Sequence, residues 1–208
     1  HLGVGGAPVI DTDEVYYSGG SQGGIFGGAI MAIAEDFDRG FLAVPAANYS
    51  TLLHRSIDFN PFLLLTRIAY PDRLDEQLNL ALVQQLWDRA EPQGYYPHLL
   101  AGDLADPPVP HDVLLHMATW DSEVSNLSTE IMVRSLGVPQ VVPAARSFFG
   151  IPELTAPFDG SAFVEIYQNC KIFNDDVFSY ATDRNVKEDN TLMVEHGKPM
   201  IFGKAKNK

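Results

Sequence analysis

The stretch Gly19-Gly20-Ser21-Gln22-Gly23 constrains this chain more than any other. It fits the pattern G-x-S-x-G, and its flanks fit as well. Before it runs Glu14-Val15-Tyr16-Tyr17-Ser18, a β-branched and aromatic run that reads as a strand. After it, residues 25–34 are almost wholly apolar or glycine and read as a buried helix. A strand that turns sharply into a helix around a serine holds that serine in a strained backbone conformation. Its neighbours must be small, because side chains there would collide with the strand or the helix. The hydroxyl then projects at the carboxyl end of the sheet, and the backbone N–H of Gln22 at the helix start faces a developing oxyanion. The stretch lacks the Lys-Ser/Thr ending of a P-loop and the G-x-G-x-x-G spacing, so it favours a nucleophile over a phosphate cradle.

A chain of 208 residues that is 46% hydrophobic and 20% charged can bury the core of one globular domain. We read that domain as 1–208, with 50–110 as a helical, cap-like excursion. The net charge of −13 argues against nucleic acid and anionic membrane as partners. With Cys170 as its single cysteine the chain forms no internal disulfide and no zinc site built of cysteines. No cofactor or metal is expected. No run approaches eighteen apolar residues, so no transmembrane helix is expected either.

The pattern predicts an α/β fold with a mostly parallel sheet. A helix is expected over 23–36 and a strand over 41–47. Within the excursion, Asp72 caps a helix in which Leu74, Leu78, Leu82 and Leu86 repeat every four residues, and we read that stripe as core or cap packing. A second strand is expected over 112–118, a helix from Ser125 to Leu136 closed by Gly137, and a last strand over 161–167. Twenty residues precede Ser21, and a parallel neighbour on that side needs a crossover of a dozen or more residues. The strands on one side of the serine strand are therefore expected on another polypeptide, or the sheet is completed by association.

A serine hydroxyl needs a base to take its proton, and a carboxylate to hold that base in the right tautomer. In this topology the chain order is serine, acid, histidine, with the acid emerging just after a strand. Asp121 meets that condition, and Glu123 is the runner-up. The competing role for Asp121 is that of a turn or helix-capping residue. Of six histidines, His196 alone follows Asp121. It stands almost thirty residues beyond the last expected strand, further than a base in this position usually does. The second oxyanion donor comes from an earlier loop in this architecture.

Several phrases carry a resemblance. They are Tyr17-Ser18-Gly19-Gly20-Ser21-Gln22-Gly23-Gly24, Val44-Pro45-Ala46-Ala47-Asn48-Tyr49-Ser50, Leu86-Trp87-Asp88-Arg89-Ala90-Glu91-Pro92 and Pro157-Phe158-Asp159-Gly160-Ser161-Ala162. With Ser21, Asp121 and His196, the chain resembles the C-terminal portion of an α/β-hydrolase of the serine esterase and lipase type. Within that superfamily it is similar to a poorly characterised group of large bacterial hydrolases whose members begin with a further half. The resemblance implies hydrolysis of a small-molecule or lipid ester through an acyl-enzyme. Ser21 would attack, His196 would shuttle the proton, Asp121 would orient His196, and the Gln22 N–H would hold the oxyanion. Two alternatives stay open: a peptidase or amidase using the same triad, and a half-fold that binds a partner and acts only when complemented.

Overall fold

The expected alternation of strand and helix is what the chain forms. In the computed structural model, residues 13–166 are described, together with four two-residue strands outside that span. The chain divides into two compact units, 1–166 and 167–208, where the sequence reading has one domain over 1–208. In the first unit, β1 (Gly3–Val4) pairs antiparallel with β2 (Ala7–Pro8). The other six strands of that unit are β3 (Tyr17–Gly20), β4 (Arg39–Ala43), β5 (Asp112–Ala118), β6 (Gln140–Val142), β7 (Glu153–Thr155) and β8 (Ala162–Ile166). They form one sheet in the order β3-β4-β5-β8-β6-β7, and every pairing in it is parallel. In the second unit, β9 (Leu192–Met193) pairs antiparallel with β10 (Ile201–Phe202).

Parallel strands need crossovers, and helices supply them. α1 (Gln22–Ile33) joins β3 to β4, and α6 (Asn126–Leu136) follows β5. Gly137 ends α6 at φ 70°, the left-handed conformation that a Cβ disfavours. Ser125 precedes α6, but its hydroxyl meets Ser128 Oγ at 3.1 Å and makes no capping bond to the helix. One face of the sheet is packed against these helices. Leu42, Val113, Leu115, Met117 and Phe163 are buried there with Met31, Ala32, Met132 and Val133. Burying side chains of this size stabilises by about 1.5–3 kcal/mol each.

The excursion between β4 and β5 is helical. It comprises α2 (Tyr49–Leu52), α3 (Asn60–Ala69), α4 (Arg73–Trp87) and α5 (Tyr96–Leu99), with 3-10 turns at Leu53–Arg55, Ile57–Phe59 and Pro92–Tyr95. Asp72 caps α4 as predicted, its carboxylate accepting from the Leu74 N–H at 2.8 Å. The leucine stripe differs from the expectation. Leu74, Leu78, Leu82 and Leu86 are 79%, 59%, 57% and 69% exposed, whereas Glu76, Leu80 and Gln84 are buried. The inversion has a cause. The Glu76 carboxylate lies 3.3 Å from Arg67 Nε, 3.5 Å from Arg73 Nη1 and 3.3 Å from His54 Nδ1. Gln84 accepts from the Ser50 N–H at 2.9 Å and donates to Asp88 and Glu91. A polar face so well partnered can be turned inward. Among the described residues no helix is long and apolar enough to cross a membrane.

Candidate active site

Ser21 sits between β3 and α1 at φ 54°, ψ −120°. This is a positive-φ conformation that a residue with a Cβ holds only when its surroundings impose it. The surroundings here are backbone. The Ser21 N–H donates to Ala43 O at 3.0 Å, and the Ile25 N–H donates to Ser21 O at 2.9 Å, opening the helix. Tyr17 Oη donates to Gly23 O at 2.7 Å, tying strand to helix across the turn. The glycines are required by contact. A Cβ on Gly19 would lie 2.4 Å from Gly23 O, and one on Gly24 would lie 2.3 Å from Ala43 O. A strand, a helix and a neighbouring strand thus converge where side chains cannot fit, and Ser21 is left exposed. Gln22 is the first residue of α1, so its N–H has no intrahelical acceptor. No acidic residue occupies the first turn, which leaves the positive end of the helix uncompensated beside the serine.

The fold is α/β, a parallel sheet with helical crossovers and a strained serine at the carboxyl end of a strand, which is consistent with the α/β-hydrolase arrangement. β3 is an edge strand of this sheet among the described residues.

Asp121 leaves the sheet from the same edge. Gly20 pairs with Ala43, Ala43 with His116 and His116 with Val164, so one row crosses four strands from the carboxyl ends of β3 and β4. β5 lies two strands from β3, a spacing of about 10 Å. Beyond β5 the chain turns at Trp120, φ 62°, whose N–H donates to Asn126 Oδ1 at 2.7 Å. Asn126 Nδ2 in turn donates to Ala118 O at 2.6 Å. Asp121 Oδ1 then accepts from the N–H groups of Glu123 and Val124 at 2.8 and 2.9 Å. These are the bonds of the capping role. They also fix the carboxylate and leave Oδ2 without a partner among the described residues. Burial first, and then the charges of Asp58 and Asp121, raise the Glu123 pKa.

His196 lies outside the described residues. The described histidines make other contacts. His54 meets Glu76, and His98 Nδ1 meets Asp103 at 2.7 Å. His111 is buried between the carbonyls of Leu99 and Ala34, and His116 stacks on Phe41. Among the described residues no side chain hydrogen-bonds to the Ser21 hydroxyl, and no three His, Cys, Asp or Glu side chains gather so as to hold a metal ion.

The structure adds a residue that sequence reasoning gave no role. Gln22 Nε2 donates to Tyr49 Oη at 2.9 Å, and the Tyr49 ring meets Trp87 edge-on at 5.7 Å. The residue after the serine is thereby linked to the last turn of α4. Burial raises the Tyr49 pKa, so the phenol stays neutral. The only signal for Tyr49 in the sequence is its place in the stretch 44–50. Beneath it runs a polar network. Asn48 caps α2 through Thr51 and donates to Gln93, Gln84 holds the Ser50 N–H, and the fully buried Glu91 accepts from Gln84. A groove of about 490 Å³ lined by Tyr16, Ser18, Phe41, Leu114 and Phe158 opens elsewhere, toward the amino ends of the strands.

No family model matches the chain. A 90-residue stretch is 46% identical to the 2-oxoglutarate oxidoreductase subunit KorB of Mycobacterium tuberculosis. That match spans 42% of this chain and 23% of the other, so it assigns no family. Among solved structures, the acylaminoacyl peptidase of Pyrococcus horikoshii superposes with a TM-score of 0.42 at 13% identity, over 91% of this chain and 26% of that one. The enol-lactonase of Burkholderia xenovorans LB400 superposes with a TM-score of 0.32 at 16% identity, over 74% of this chain and 58% of that one. Both superpositions are loose, and the fold assignment rests on the sheet order and the elbow described above.

Proposed function

We propose that this chain belongs to a serine hydrolase that cleaves carboxylic esters through an acyl-enzyme, in line with the resemblance to large bacterial hydrolases of the esterase and lipase type. The observation that carries the reading is Ser21 at φ 54°, exposed, at the uncompensated N-terminus of α1. Strain of this kind persists where a function requires it. In the proposed reaction Ser21 Oγ attacks the ester carbonyl and its proton passes to the His196 imidazole. The carbonyl oxygen gains charge and is met by the Gln22 N–H. Asp121 holds the imidazole through its unpartnered oxygen. The tetrahedral intermediate expels the alcohol, which takes the proton, and water repeats the sequence to free the acid and Ser21. Tyr49 and Trp87, linked to Gln22, would form an apolar wall for a small-molecule or lipid ester.

The test is covalent labelling with a fluorophosphonate and peptide mapping, beside p-nitrophenyl ester and anilide turnover by wild type and Ser21→Ala. The label is expected on the peptide that holds Ser21, and Ser21→Ala is expected to lower ester turnover by about 10³-fold or more. Unchanged turnover in Ser21→Ala would remove the serine from the reaction. Faster anilide than ester cleavage would move the substrate class to amides.

A further inference from the structure

We infer that Tyr49 is a positioning residue of the candidate active site: its bond to the Gln22 side chain fixes the first turn of α1 and so aims the Gln22 N–H at the oxyanion. The inference rests on the hydrolase reading of Ser21 and concerns the same site. The first turn of α1 has little support of its own. It opens on Gln22, Gly23 and Gly24, and glycine is among the poorest helix formers. A helix start is ordinarily held by a capping side chain or by an acidic residue in its first turn. Among the described residues neither is there: Ser21 makes no side-chain capping bond, and the first turn carries no acid. Ser21 stands at φ 54°, outside the extended conformation of a capping residue, which leaves its hydroxyl to the chemistry.

Support comes from two tyrosines outside the helix. Tyr17 reaches from β3 and donates to Gly23 O at 2.7 Å. Tyr49 reaches from the excursion and accepts from Gln22 Nε2 at 2.9 Å. The second bond grips the residue whose N–H is the oxyanion donor. Tyr49 is itself well held. It opens α2, which Asn48 caps by accepting from the Thr51 N–H at 3.0 Å. The N–H of the next residue, Ser50, donates to Gln84 of α4 at 2.9 Å. The Tyr49 ring meets Trp87 edge-on and packs against the cluster of Ile25, Ala46, Leu52 and Val124. Ile25 lies three residues beyond Gln22, on the same face of α1, and its N–H donates to Ser21 O. The Tyr49 hydroxyl, and the cluster beneath its ring, thus bear on one face of the turn that carries the nucleophile. A misplacement of about 1 Å in such a site costs on the order of 100-fold in rate, so a turn loosened by a fraction of that registers in kcat.

The experiment compares Tyr49→Phe, Gln22→Ala and the double variant with wild type in p-nitrophenyl ester turnover, beside fluorophosphonate labelling of Ser21. Tyr49→Phe keeps the ring on Trp87 and on the cluster, so its thermal midpoint should shift by no more than about 3 °C. Gln22→Ala keeps the backbone N–H and removes the side chain beyond Cβ. Each single variant is expected to lower kcat about 10-fold with KM held within about 2-fold, because acylation and deacylation both pass through an oxyanion and slow together. A boronic acid that forms a tetrahedral adduct on Ser21 should bind each about 10-fold more weakly. Since Tyr49 acts through Gln22, the double variant should lose no more than about 2-fold beyond Gln22→Ala alone, where independent roles would multiply to about 100-fold. Should Tyr49→Phe fail to fold, Gln22→Ala carries the test with the same kcat and KM expected. Three results overturn the inference: an unchanged kcat in the single variants, a rise in KM alone, or a multiplicative loss in the double variant. A wild type that neither takes the label nor turns over esters removes the hydrolase reading and this inference with it. A wild type that does both, beside indifferent single variants, overturns this inference alone.

Discussion

Replacing Glu91 by glutamine should make the protein more stable above neutral pH and leave it unchanged in acid. Glu91 is 0% exposed, and among the described residues its Oε2 has no hydrogen-bond partner. Burial is the main reason its carboxyl is raised from 4.5 to about 7. The hydrogen bonds from Gln84 and the Gln93 backbone pull it down, and the charge of Asp88 pushes it further up. A carboxyl whose folded pKa is raised binds its proton more tightly in the native state than in the unfolded one. Its favourable contribution is complete below about pH 4.5 and is lost as the pH climbs through about 7. The gap of about 2.5 units, at 1.36 kcal/mol each, amounts to about 3 kcal/mol at about pH 8. Glutamine cannot ionise, and its side-chain carbonyl can still accept from Gln84 Nε2. The measurement is urea unfolding of wild type and Glu91→Gln from about pH 4.5 to 8.5. Their difference should be small in acid and grow to about 3 kcal/mol, or about 1.5 M in midpoint for an m of about 2 kcal/mol/M. Other titrating groups are common to both and cancel. A difference that stays flat with pH, or a Glu91→Gln variant less stable than wild type at about pH 8, would refute the burial argument.

Two further changes probe the candidate site. Gly24→Ala drives a Cβ to 2.3 Å from Ala43 O, the carbonyl that holds the Ser21 N–H, so α1 and β4 must part. It should cost about 1–3 kcal/mol in urea unfolding and lower ester turnover at least about 10-fold. Asp121→Asn keeps an acceptor for the Glu123 and Val124 N–H groups, so thermal unfolding should hardly move while kcat falls by about 10⁴-fold. Retained activity would leave Asp121 a turn residue and pass the acid role to Glu123.

The elements that were legible in the sequence are those whose cause is local. The elbow needs only a strand, a few small residues and a helix, all close together in the chain. Asp72 and Gly137 mark a helix start and a helix end through chemistry confined to one turn. The boundaries slipped where tertiary pairing decided them. The strand expected over 14–18 is at Tyr17–Gly20, because its ladder is set by Gly40 to Ala43 of the neighbour. The strand expected over 41–47 stops at Ala43, where Val44 takes φ 47° and Pro45 follows. β6 and β7 are three residues each, too short for alternation to register, and each follows a proline, Pro139 and Pro152. The link from Gln22 to Tyr49 and Trp87 joins positions far apart in the chain and leaves no pattern that one sequence can display.

The leucine row shows what periodicity does and does not encode. A repeat of four proves that a helix has two unlike faces. It does not say which face meets the rest of its own chain, because that depends on what waits on the other side. For α4 the polar face found partners: two arginines and a histidine for Glu76, and a backbone N–H, Asp88 and Glu91 for Gln84. With those pairs made, turning the leucines inward would have carried Glu76 and Gln84 out to water and left buried partners such as the Ser50 N–H unpaired, each costing about 1–3 kcal/mol. Four leucines in contact with water are costly too, by about 1.5–3 kcal/mol each for full exposure against burial.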